Sequence, residues 1–346
     1  MKTTLSYMTW PLIMTAAGLV LALALGLQVS GTMAGAASFL LIATVLAVLE
    51  ISLSFDNAIV NANKLKTMAP VWQRRFLTWG IVIAVFGMRL VFPLLVVVIA
   101  ARIGPLDAVR LAATEPARYA QLIDAAHLPI AAFGGSFLML VGLSYFFDQS
   151  KEIDWIGGLE RSLRAVGSVR GMEIGFVLLV VLIFTILLPE AAKAAFMFAA
   201  IWGIVTYLAV DALGQVLDHW GTSGGSAAQG GLGAFLYLEV LDASFSFDGV
   251  IGAFALTQNL FLIVIGLGIG AMYVRSMTVM LVERGTLAEF RYLEHGAFWS
   301  ILILSVVMFA QTMWHIPEAV TGLFGAAVIG LSFLSSLRWN RAHAEA

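Results

Sequence analysis

The chain has 346 residues, 61% hydrophobic and 12% charged, with a formal net charge of −2 and no cysteine. Soluble domains carry about 25% charged residues, so half that share, with a mean hydropathy of +0.96, excludes an ordinary water-soluble globule. Near-neutral charge argues against a nucleic-acid partner, and the lack of cysteine excludes disulfides, thiolate metal sites and a cysteine nucleophile.

About 20 apolar residues span a bilayer. Hydropathy predicts about ten such helices in chain order, near 10–29, 35–63, 76–101, 128–147, 173–189, 191–212, 232–256, 260–282, 296–314 and 317–337. The first run opens like a signal peptide but is too long for a signal core, and is read as a retained helix. Between the third and fourth spans, "RIGPLDAVRLAATEPARYAQLIDAAH" (102–127) predicts a short surface helix. "DQSKEIDWIGGLERSLRAVGSVRG" (148–171) is polar and rich in glycine, and "HWGTSGGSAAQGG" (219–231) has the composition of a flexible loop.

Basic residues orient these spans. With the amino terminus inside, the inner segments hold 13 of the 19 lysines and arginines, clustered at 64–75, 151–170, 284–291 and 338–341. The outer segments hold only Arg102, Arg110, Arg118 and Lys193, and Arg89 and Arg275 lie within helices. The positive-inside rule then predicts both termini in the cytoplasm.

The second and seventh spans carry an acidic pattern inside apolar sequence: "LEISLSFDNAIV" with Glu50 and Asp56, and "LDASFSFDGVIG" with Asp242 and Asp248. Both read acidic-x-Ser-(Leu/Phe)-Ser-Phe-Asp, 192 residues apart, and Trp10 and Trp202 share that offset. Arg89 and Arg275 each follow their motif by about one helix, 186 residues apart. Two antiparallel copies of one unit are the inverted repeats of secondary transporters, whose sites lie near the midplane between the copies. The expected fold is therefore all-α: one polytopic transporter domain over 1–346, with a first repeat at about 10–189 and a second at about 190–337.

Glu173, Glu190, Asp211 and Glu318 read as helix-end groups that reach the headgroups. Glu50, Asp56, Glu239, Asp242 and Asp248 lie deeper, where an ionisable group usually marks an ion or proton path. Residues six apart on a continuous helix differ by about 240° in direction, so Glu50 and Asp56 need a break to face one site. The hydroxyls of Ser54 and Ser246 could satisfy backbone groups freed by such breaks. Glu239 and Asp242, three apart, share a face without one. Asn57 and Asn61 add neutral oxygens, and Arg89 and Arg275 offset part of the acidic charge.

Carboxylate, amide and hydroxyl oxygens suit Mg²⁺, Ca²⁺ or Mn²⁺ better than softer metals. None of the five histidines falls in a motif, and each is read as a loop or helix-end residue. An intramembrane aspartyl protease is disfavoured, because Ser246-Phe247 stands where the Gly-x-Gly before the second aspartate is required.

At these motifs the chain resembles the TerC family of bacterial integral membrane proteins, within the LysE-like transporter superfamily. The likeness spans most of the chain and is densest at "LEISLSFDNAIV" and "LEVLDASFSFDGVIG". It implies Mn²⁺ export across the bacterial inner membrane, with Mn²⁺ as substrate and no organic cofactor. The ligands it implies are Glu50, Asp56 and Asn57 from the first motif and Glu239, Asp242 and Asp248 from the second. Gly249 departs from the Asn or Ser often found there in the family. Proton coupling through Glu239, which has no counterpart in the first motif, is a further expectation. Ca²⁺/H⁺ exchange, metal delivery to an exported metalloenzyme client, and tellurium resistance are the alternative functions. A second copy of the chain is a further expected partner, besides the metal ion and the bilayer.

Overall fold

The computed structural model describes residues 4–223, 231–314 and 316–343. The first half comprises α1 (Thr4–Ser30), α2 (Met33–Leu53), α3 (Phe55–Leu65), α4 (Pro70–Val82), a π-helical stretch (Ile83–Val91), α5 (Phe92–Ala101), α6 (Pro105–Thr114), α7 (Pro116–Ala125), α8 (His127–Phe147), α9 (Gly157–Val166) and α10 (Met172–Leu187). The second comprises α11 (Glu190–Ser223), α12 (Leu232–Leu256), α13 (Leu260–Arg284), α14 (Thr286–Glu289), α15 (Leu293–Gln311) and α16 (Glu318–His343). No strand occurs among the described residues.

All ten expected spans fall on helix, but among the described residues length and composition single out seven as able to cross a membrane: α1, α2, α8, α11, α13, α15 and α16. Two shorter apolar helices lie at 86–99 and in α10, and α12 carries three acids within an otherwise apolar run. Large apolar side chains cover the outside: Ile186 is 73% exposed, Phe198 67% and Leu323 70%. In water that surface would be penalised, whereas in lipid it is solvated. The chain is a multi-pass membrane protein.

Local chemistry sets the helix ends. Gly31, at φ +66°, closes α1 in the left-handed conformation that glycine adopts most readily. Thr32 then caps α2 by accepting the Gly35 N–H at 3.1 Å. The surface segment after α5 forms two helices rather than one. Glu115, the residue before Pro116, is held out of the helical region at φ −133°, ψ 60°, as the proline ring requires. The expected loop at 219–231 begins later than the composition suggests, since α11 continues to Ser223; residues 224–230 lie outside the described residues.

Two packing groups build the bundle. In one, α13 packs against α1 and α2; in the other, α8 packs against α11 and α15. Glycines permit the close approaches: a Cβ on Gly142 of α8 would lie 2.5 Å from Leu302 of α15, and one on Gly266 of α13 would lie 2.6 Å from Leu46 of α2. Such small-residue contacts replace the hydrophobic driving force that lipid does not supply. The motif helices α3 and α12 run between the groups, α3 touching α13 and α15 and α12 touching α8, α11 and the π-helical stretch.

Candidate functional site

The first motif breaks its helix as its spacing requires. Ser54 sits between α2 and α3 at φ −103°, ψ 17°, and its hydroxyl donates to Glu50 Oε1 at 3.2 Å. Glu50 thus ends α2 while Asp56 opens α3, where the helix dipole favours a carboxylate. Asp56 Oδ1 accepts the Asn57 N–H at 2.8 Å, and its Oδ2 accepts from the Ser300 hydroxyl at 2.8 Å. Both acids line one cavity of about 50 Å³, together with Ser54, Gly249, Ser300 and Thr321. That volume exceeds the roughly 10–15 Å³ needed for a single water. Thr321 is buried there, and its hydroxyl has no hydrogen-bond partner among the described residues.

Glu50 is held from two sides. Arg89 forms a buried ion pair with its Oε1, and Gly270 of α13 lies so close that a Cβ would meet the Glu50 Cβ at 2.4 Å. Arg89 projects from the π-helical stretch, a winding common at functional sites. The sequence supplies a reason for that winding: Pro93 follows at the start of α5. A proline ring clashes with the carbonyl four residues back in a regular helix, and the wider turns before it relieve the clash.

The second motif does not break. α12 is continuous through Ser246, against the expectation of two broken motif helices. Its Ser244 hydroxyl bonds back to Val240 O at 3.0 Å within the helix. Asp242 and Glu239 already share a face without a break. Asp242 hydrogen-bonds the first motif: its Oδ1 accepts from Asn57 Nδ2 at 2.6 Å. Ser246 is buried with no partner for its hydroxyl among the described residues, and the side chain of Asp248 lies outside them.

Among the described side chains, the predicted acids therefore fall into separate places rather than one site. Glu50 and Asp56 share the larger cavity. Asn57, Asn61 and Asp242 line a second cavity of about 10 Å³, large enough for one water, together with Arg89, Arg275 and Thr278. The amide oxygens of Asn57 and Asn61 have no hydrogen-bond partner among the described residues. Glu239 stands apart beside Gly80, where a Cβ would lie 3.0 Å from its Oε1 and 2.7 Å from Arg275 Nη2. Neither Glu239 oxygen has a partner among the described residues. The Arg275 guanidinium lies 3.9 Å from the centroid of the Phe76 ring. Among the described residues no three of His, Asp and Glu gather as a metal-ligating group.

Sequence reasoning missed Ser300 and Thr321. Each is a single hydroxyl in an apolar helix, like others that only bond back to their own backbone, and only the fold distinguishes them. It also missed the role of His295. That residue opens α15, as a helix-end residue should, but it is 3% exposed and its Nδ1 lies 2.7 Å from Glu160 Oε2. Trp299 Nε1 donates to Glu160 Oε1 at 2.9 Å. Beside this cluster opens a cavity of about 720 Å³, lined by Lys66, Tyr145, Lys151, Arg291, Glu294 and His295 among others.

No curated protein and no solved structure matches the chain. The family model described as "Protein of unknown function (DUF475)" matches residues 55–343, beginning just after the break at Ser54 and leaving α1, α2 and Glu50 before it. That match covers most of the chain, which therefore belongs to the DUF475 family.

Proposed function

We propose that the protein is a TerC-like transporter of a hard divalent cation, Mn²⁺ by preference, and exports it across the bacterial inner membrane. The observation that carries this reading is the break at Ser54, which turns Glu50 and Asp56 onto one buried cavity with the Ser300 and Thr321 hydroxyls. Two carboxylates and neutral oxygens, with no sulfur among the described residues that line the cavity, match the ligand preference of Mn²⁺, Mg²⁺ and Ca²⁺. The proposed ligands are Glu50 and Asp56, and the second motif's sequence adds Asp248. Asn57 and Asp242 stand next on the path and Glu239 beyond them.

Ten membrane crossings, with both termini in the cytoplasm, complete the proposal. Inverted repeats are supported by matched pairings: α3 with α15 answers α12 with α8, and α2–α3 with α13 answers α12 with the π-helical stretch.

The test is Mn²⁺ flux into proteoliposomes by the purified protein, alongside cellular manganese on expression. Transport by the parent and its loss in Asp56→Asn and Asp248→Asn are expected. Flux and metal content unchanged in both variants would overturn the assignment. Reporter fusions at each terminus test the topology independently, and a terminus outside the cytoplasm would break the repeat argument.

A further inference from the structure

The cavity of about 720 Å³ beside His295 has the size of a small-molecule site, and the proposed metal path does not use it. Its walls draw on all four segments in which the inner basic residues cluster, through Lys66, Lys151, Arg291 and the pair Trp339 and Asn340. Under the topology proposed above it opens on the cytoplasmic side. We propose that this cavity binds a phosphate monoester through Lys151 and Arg291.

Two cations on these walls lack anions. Neither the Lys151 ammonium nor the Arg291 guanidinium forms an ion pair or a hydrogen bond among the described residues. Each lies on an aromatic ring instead. Lys151 Nζ is 3.6 Å from the Tyr145 centroid, and the Arg291 guanidinium is 4.5 Å from that of Trp339. A ring face steadies a cation but leaves its N–H donors for a ligand's oxygens. Both residues are half-buried, and Arg291 Nε is shut off from water with no partner among the described residues, a costly state for a donor. Burial lowers the Lys151 pKa from 10.5 to about 8, which leaves the amine charged at neutral pH. The acids on the same walls do not meet the need. Glu294 is taken by Lys66, and Asp148, Glu152 and Glu289 are exposed, where water and salt screen them.

Two unpaired cations call for a dianion. A phosphate monoester carries a charge of about −1.5 to −2 at neutral pH, and its oxygens suit an arginine fork beside a lysine point charge. The cavity also has room for an organic body on that phosphate. A nucleobase finds no free ring there. Tyr145 is stacked on Phe298 at 3.7 Å and Trp339 on His343 at 4.1 Å, so with the cations in place both faces of each ring are covered. Asn63, Ser150 and Asn340 also line the cavity, and their amides and hydroxyl suit the oxygens of a sugar or glycerol. The ligand is thus a sugar phosphate or a glycerol phosphate, either free or as the headgroup of a lipid.

The experiment is calorimetric titration of the purified full-length protein in maltoside detergent, in phosphate-free buffer at neutral pH. The probes are glucose 6-phosphate and dioctanoyl phosphatidic acid. The parent is expected to bind at least one of them with a dissociation constant below about 1 mM. Binding of glucose 6-phosphate identifies a soluble ligand, and binding of the lipid alone identifies a headgroup. Lys151→Gln and Arg291→Gln are each expected to weaken that binding about tenfold, the loss of one charge-assisted contact, and the double variant to abolish it. Arg110→Gln removes an exposed cation of α6 outside this cavity and should bind as the parent does. A parent that binds neither probe overturns the proposal, as does parental affinity in folded Lys151→Gln or Arg291→Gln. A tenfold loss in Arg110→Gln also overturns it, because the attraction would then be general. If Arg291→Gln does not fold, Arg291→Lys replaces it. That variant keeps the charge and loses the fork, so binding about threefold weaker is expected, and unchanged affinity overturns the proposal.

Discussion

Asn57 donates from Nδ2 to Asp242 Oδ1 at 2.6 Å, joining the two acidic motifs across 185 positions of sequence. Both residues are buried, at 2% and 4% exposure, so water does not replace a lost donor. Asn57→Ala is expected to lower stability by about 1–3 kcal/mol, the penalty for leaving a buried acceptor without a partner. Asn57→Asp should be worse, because two carboxylates then meet in a poorly screened place. Thermal unfolding in detergent measures both. An aspartate variant more stable than the alanine variant would show that the hydrogen bond is not what holds the motifs together.

Gly270 sets the position of Glu50 by its lack of a side chain. An added Cβ would lie 2.4 Å from Glu50 Cβ and 3.1 Å from Ala47 O, so α13 must move off α2. Gly270→Ala is expected to cost about 1–3 kcal/mol, as overpacking does elsewhere. Gly175 in α10 has nothing within 4 Å of its would-be Cβ, and Gly175→Ala should stay within about 1 kcal/mol of the parent. Equal unfolding temperatures for the two variants would contradict the close contact.

How much of this was legible in the sequence differs between the two motifs. The break at Ser54 follows from geometry: acids six apart cannot face one cavity on a straight helix. The serine hydroxyl, expected to satisfy freed backbone groups, instead donates to the Glu50 carboxylate. The same reasoning failed at Ser246, where α12 runs on unbroken: Asp242 makes the contact across to α3, and a residue three from Glu239 needs no break. Motif similarity concealed that difference in use. The helices themselves were legible from hydropathy because lipid demands long apolar runs. The cavity partners Ser300 and Thr321, and the pairing of His295 with Glu160, depend on contacts across more than 130 residues, and no local pattern records them.

Glu239 gives a transport prediction distinct from binding. Its two oxygens lack hydrogen-bond partners among the described residues, and it stands away from the Glu50–Asp56 cavity, close to Arg275 at Gly80. If it carries the coupling proton, Glu239→Gln keeps Mn²⁺ affinity while its transport loses dependence on pH. Flux into proteoliposomes across a pH series, read beside binding isotherms, separates the roles. A variant that moves Mn²⁺ with the parental pH profile would make Glu239 structural.

Glu160 gives a pH prediction outside the membrane-spanning segments. Its carboxylate accepts the Trp155 N–H at 3.0 Å, the Ile156 N–H at 3.3 Å and Trp299 Nε1 at 2.9 Å, and it faces His295 Nδ1. An ionised carboxylate only accepts, which puts the ring hydrogen on Nδ1. Burial alone would raise the Glu160 pKa, but hydrogen bonds from His295 and Trp299 and the attraction of His295 outweigh it, bringing the value from 4.5 down to about 2. A carboxyl depressed by folding adds stability that is fully present above its unfolded value and is lost as pH falls through its folded value. The parent should therefore lose stability as pH drops from about 4.5 towards 2. Glu160→Gln should be less stable at neutral pH and have a shallower decline through the same window, because the segment bearing α9 has lost its charged anchor on α15. Unfolding temperatures measured from neutral pH down through this window decide the matter. Parallel acid declines in parent and variant would mean that the Glu160 charge does not hold this segment in place.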